Sequence, residues 1–185
     1  MFISKTARKI DKQITKGDAY KETKSGDAII SLKACKREEI FSSYNYNSDD
    51  VINKDLTDYV WHKSKLVPLG QNIKLQMFCN EDISKEEVSS ALKNYYRAEY
   101  LDAKSELKNK TRFSLVCLFL GVITLLVLSL FNTILNNFYL TTVIDILAWV
   151  FVWEAFDVFF FQRSITIRKL KQIQRLYTAK IEIKK

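Results

Sequence analysis

Two long apolar runs dominate the second half of the chain. FSLVCLFLGVITLLVLSLF, residues 113–131, is nineteen residues without a charge, which is the length of a transmembrane helix. The second, read from 140 to 161, contains IDILAWVFVWEAFDVFFF. A short uncharged connection rich in asparagine, NTILNNFY at 132–139, separates them. Residues 113–161 therefore predict a two-span transmembrane helical hairpin.

The pattern before the hairpin predicts mixed structure. Residues 1–16 place Ile3, Ala7, Ile10 and Ile14 on one helical stripe among five bases, a basic amphipathic segment suited to an anionic membrane surface. They lack the unbroken apolar core of a secretory signal peptide. Residues 17–26 are polar and read as a loop. DAIISLKA (27–34) reads as a strand, residues 48–65 as a helix ended by Pro68, and IKLQMF (73–78) as an alternating strand. ISKEEV then supplies a capping box, Ser84 with Glu87, and a hydrophobic staple, Ile83 with Val88. Neither Gly nor Pro follows until Gly121, so a helix over 84–112, roughly 43 Å long, runs directly into the first span. Residues 162–185 carry a ragged helical stripe and end in AKIEI, which alternates like a strand and fits the sheet begun by 27–34 and 73–78. The fold class expected is thus a mainly α membrane protein, a two-span hairpin with a small cytoplasmic α+β domain at 17–83.

Charge sharpens this picture. The net charge of +8 is unevenly placed. Residues 1–16 carry +4, residues 17–112 sum to zero, residues 113–161 carry −3 and residues 162–185 carry +7. No Lys or Arg occurs between Phe113 and Phe161. Basic flanks stay cytoplasmic. Arg112 before the first span, and Arg163, Arg168 and Lys169 after the second, therefore predict both termini inside and 132–139 outside, in a bacterial inner membrane. Nucleic-acid binders spread a basic patch over a folded domain, so no nucleic-acid partner is expected.

Within the hairpin two groups of residues bear chemistry. Ser114, Cys117, Gly121 and Thr124 form a stripe of small residues, suited to close helix packing in lipid. Opposing them, Asp145, Glu154 and Asp157 place three carboxylates in an apolar segment with no base. Each costs about 2.5–3.5 kcal/mol at a span centre. Helical geometry puts Asp145 and Glu154 on opposite faces and Glu154 with Asp157 on one. Asp157 lies near the cytoplasmic end, where Arg112 is the expected counter-charge. Glu154 is either protonated against the first span, bonded to Cys117, Thr124 or backbone, or faces something outside the hairpin.

The remaining signals exclude more than they propose. The three cysteines have no metal or disulfide spacing. His62 has no acid–base neighbours in sequence, and no phosphate loop or nucleophile elbow occurs. Neither an enzyme, a metal nor a cofactor is expected. Two functional readings follow: a homo-oligomeric pore or membrane-permeabilising effector controlled by its cytoplasmic part, or a membrane-anchored adaptor whose hairpin only tethers a domain that binds a cytoplasmic protein. Membrane lipid is a partner in both.

Overall fold

The computed structural model describes residues 20–23, 26–34, 36–42, 51–79, 83–134 and 138–184. The amphipathic segment expected over 1–16, Cys35, the capping residues Ser48, Asp49 and Asp50, and Asn136–Asn137 lie outside them. The chain is mostly helical with a small sheet. Its contacts group into two units, Met1–Glu99 with Lys171–Lys185, and Tyr100–Leu170.

The first unit is built on four strands: β1 (Lys21–Glu22), β2 (Ala28–Lys33), β3 (Ile73–Phe78) and β4 (Lys180–Lys184), in the order β1-β2-β3-β4. β1 pairs antiparallel with β2, whereas β2, β3 and β4 are parallel. The hairpin β1–β2 replaces part of the loop expected over 17–26. Its turn needs Gly26 at φ 82°, a left-handed conformation that glycine adopts freely. Thr23 Oγ1 closes the turn by accepting from Asp27 N at 2.9 Å.

Alternation decides which face is buried. Ala28, Ile30 and Leu32 of β2 and Ile73, Leu75 and Met77 of β3 are buried, while Ser31, Lys33 and Phe78 are exposed. Each such aliphatic side chain contributes about 1.5–3 kcal/mol on burial. The single turn α1 (Arg37–Ile40) and helix α2 (Lys54–Lys65) make the crossover from β2 to β3. α2 begins at Lys54 because Ile52 is held in a bridge to Phe41, leaving Asn53 as the cap whose side chain accepts from Asp55 N at 3.0 Å. It stops at Lys65, ahead of Pro68, as expected.

Helix α3 spans Lys85–Ile134 without interruption, about 75 Å at the α-helical rise. Ser84 Oγ accepts from Glu87 N at 3.1 Å, and Ile83 and Val88 are both buried, so the Ser84 half of the start signal acts as read. The Glu87 carboxylate meets Arg37 at 3.4 Å. Val88, Ala91, Leu92 and Tyr96 are buried in the first unit, as are Ile173 and Leu176 near its C-terminal end.

In the second unit, the apolar part of α3 lies beside helix α4 (Phe138–Asp157), and the two run antiparallel. A π-turn, Val158–Gln162, follows α4 and leads into α5 (Arg163–Tyr177). The helical region Lys85–Leu130 is the one helix among the described residues long and apolar enough to cross a membrane, and only 17% of its most apolar window is covered by the rest of the protein. A soluble core helix would be mostly covered. The surface of this unit exposes large apolar side chains, with Phe119 at 66% and Trp153 at 70%.

Candidate functional site

The small-residue stripe is where α3 meets α4. Ser114 is buried and its hydroxyl donates to the Ala155 carbonyl at 2.8 Å. Cys117 is buried as a free thiol. At Gly121 an added Cβ would lie 2.8 Å from Val152 Cγ2 and 3.5 Å from the Ala148 carbonyl oxygen. Thr124 is half-buried and returns its hydroxyl to Leu120 O of its own helix at 2.8 Å. The opposing surface comes from Ala148 and Ala155, both buried. These alanines escaped the sequence reading, although their seven-residue spacing between bulky neighbours is the matching signal.

The three carboxylates are not brought together. Asp145 is half-buried and sits nine residues, roughly 13 Å along the axis, from Glu154. Glu154 is exposed and makes no hydrogen bond or ion pair among the described residues. It stands one position before the interface residue Ala155, hence about 100° round the helix, at the edge of the contact with α3 and within electrostatic reach of Cys117. Asp157 is half-buried, and its Oδ2 accepts from Gln162 Nε2 at 2.9 Å. The π-turn sets that partner, because its wider winding brings residue i+5 alongside residue i.

The expected pair of Asp157 with Arg112 does not form. Arg112 is exposed and has no ion pair among the described residues. The reason is angular. Arg112 precedes the interface residue Ser114 by two positions, about 200° of turn, and so lies off the Ser114 contact line, on the surface it shares with Lys108 and Arg163.

The bases after the hairpin differ in environment. Arg163 is half-buried over the Phe159 ring, its guanidinium carbon 5.0 Å from the centroid, and its Nε is buried without a hydrogen-bond partner among the described residues. Arg168 is exposed and Lys169 half-buried. A cross-helix contact unforeseen in the sequence holds this region: Lys110 Nζ pairs with Glu106 at 2.6 Å and donates to Thr166 Oγ1 at 3.2 Å. The hydrogen bond from Lys110 holds the Glu106 carboxyl below the ordinary glutamate range, with Lys169 and Thr166 adding to the effect and partial burial opposing it.

Outside the hairpin, His62 is exposed, its Nδ1 3.0 Å from the Asp58 carbonyl oxygen within α2. No group of three or more His, Cys, Asp or Glu among the described residues could hold a metal. A small cleft of about 190 Å³ opens where the parallel strands begin, between Asp27, Asn72 and Arg175. Arg175 is committed to the fold there, donating to Gln71 O at 2.7 and 3.1 Å and to Val67 O at 3.4 Å. Compared with known protein families, curated proteins and solved structures, the chain matches none.

Proposed function

We propose that this chain is a two-span integral membrane protein with both termini cytoplasmic, which assembles with copies of itself into a cation-conducting pore or membrane-permeabilising effector governed by its cytoplasmic part. The observation that carries the reading is the exposed carboxylate of Glu154, at the edge of the α3 contact on a helix whose exposed side chains are mostly apolar. In lipid a bare carboxylate there is disfavoured, and no base or hydrogen bond within the described residues satisfies it. Water or a second copy of the chain relieves that cost, and a ring of such acids attracts cations.

Sheet closure supports the second crossing. β3 and β4 are hydrogen-bonded neighbours, with Leu75 opposite Ile181 and Met77 opposite Ile183. Every residue of the hairpin lies between them in sequence. A chain that leaves a sheet and returns to pair beside the strand it left crosses a bilayer an even number of times. With α3 crossing once, α4 makes the return and carries its acids into the membrane.

The test is cation leakage from liposomes at matched protein density. Glu154→Gln keeps size and hydrogen-bonding capacity but cannot ionise; flux should fall severalfold while insertion and assembly persist. Asp157→Asn is the control. Its side-chain carbonyl still accepts from Gln162, so flux and stability should stay near wild type. Flux that Glu154→Gln leaves unchanged removes this residue from the path. If an unrelated two-span hairpin also preserves function, the hairpin is a tether and the adaptor reading replaces the pore.

A further inference from the structure

A groove of about 620 Å³ runs along α3 beside the start of α5, wholly within the second unit. Lys104, Lys108, Arg112 and Arg163 line it, with Leu101 and Leu107 supplying apolar wall. Three of the bases recur every four residues on one helix face, where like charges destabilise each other. None of the four makes an ion pair among the described residues. The neighbouring Lys110, by contrast, is neutralised by Glu106 at 2.6 Å. Arg163 adds a second irregularity, because its Nε is buried without a partner among the described residues while Phe159 packs under the guanidinium. The apolar run of α3 starts at Phe113, one residue beyond Arg112, so in the membrane reading the groove sits at headgroup depth.

We propose that this groove binds the phosphate headgroup of an anionic phospholipid. The inference rests on the membrane reading above. Phosphate supplies the charge that the four bases lack, and the planar guanidinium groups match its oxygens in bidentate fashion. Leu101 and Leu107 suit the glycerol and upper acyl carbons. Basic pockets between transmembrane helices on the cytoplasmic side take anionic headgroups for these reasons.

The experiment uses the full chain in non-ionic detergent, with short-chain phosphatidylglycerol and phosphatidylcholine as probes and native mass spectrometry as readout. Phosphatidylglycerol should bind one per chain and at least about tenfold tighter than phosphatidylcholine. Lys108→Gln with Arg163→Gln should weaken it by roughly fivefold per base removed. Arg168→Gln with Lys171→Gln removes equal charge outside the groove and should change binding less than about twofold, given no bilayer surface potential in detergent. Equal binding of the two lipids, or an equal loss in the control, overturns the groove. Displacement of the lipid by equimolar inorganic phosphate makes it a site for a soluble anion instead. Flotation with phosphatidylcholine vesicles separates the two failures: wild-type protein that stays at the bottom sinks the membrane reading itself, whereas protein that floats without lipid preference sinks only the headgroup site.

Discussion

Gly121 and Val152 meet so closely that a Cβ at position 121 would lie 2.8 Å from Val152 Cγ2, so any larger residue there forces a shift. The stripe that contains Gly121 is therefore occupied within the chain. Self-association, if the Glu154 reading holds, uses a different face of the hairpin.

Gly121→Leu should separate the helices, at roughly 1–3 kcal/mol or more for overpacking. Cys117, four residues away and buried, reports it. In a Cys35→Ser, Cys79→Ala background solubilised in detergent, wild-type Cys117 should react slowly with a maleimide and the Gly121→Leu variant several times faster. Equal rates would show that the contact is dispensable.

Topology gives a second expectation. A cysteine placed at Asn136 should be labelled by an impermeant reagent from outside intact cells, and one placed after Lys185 only after lysis. External labelling at both positions breaks the even count of crossings that the pairing of β3 with β4 requires.

Glu106 should titrate below a free glutamate, and Lys110→Gln should return it toward the ordinary value of about 4.3 because the largest cause of the shift is removed. The sign follows from linkage: a carboxyl whose folded pKa is depressed stabilises the fold above its unfolded pKa, and loses that contribution as pH falls through the folded value. The group is substantially exposed, so the contribution is small. Carboxyl carbon NMR of wild type and Lys110→Gln measures it directly; coincident titrations would rule out the ion pair in solution.

Tyr96 is buried, its hydroxyl has no hydrogen-bond partner among the described residues, and burial pushes the phenol well above its usual range. Tyr96→Phe removes an unsatisfied group at nearly constant volume. The melting temperature should hold or rise, by up to the equivalent of about 1–3 kcal/mol. Leu92→Ala, which leaves a cavity in the same buried layer, should lose about 2–5 kcal/mol. A clear fall in Tyr96→Phe would reveal a partner for the hydroxyl.

What the sequence determined by itself is whatever acts over a few residues. The alternation of Ile73, Leu75 and Met77 specifies a one-sided strand, and Ser84 with Ile83 and Val88 specifies the start of a helix. The lack of a proline lets that helix run on past Gly121 to Ile134. The small stripe from Ser114 to Thr124 marks a packing face because 3.6 residues per turn align its members. Tertiary structure alone decided the rest. Nothing local distinguishes β4 pairing with β3 from pairing with another edge, since KIEIK alternates acceptably in either place; the choice depends on contacts between residues about a hundred positions apart. The π-turn is likewise invisible in VFFFQ, and it is the π-turn that gives Asp157 to Gln162 instead of Arg112. The exposure of Glu154 depends on which face α4 turns to α3, and the fit of Ala148 and Ala155 against Gly121 and Ser114 fixes that face. Periodicity places residues on a helix surface, but only packing against a partner says which part of that surface stays open.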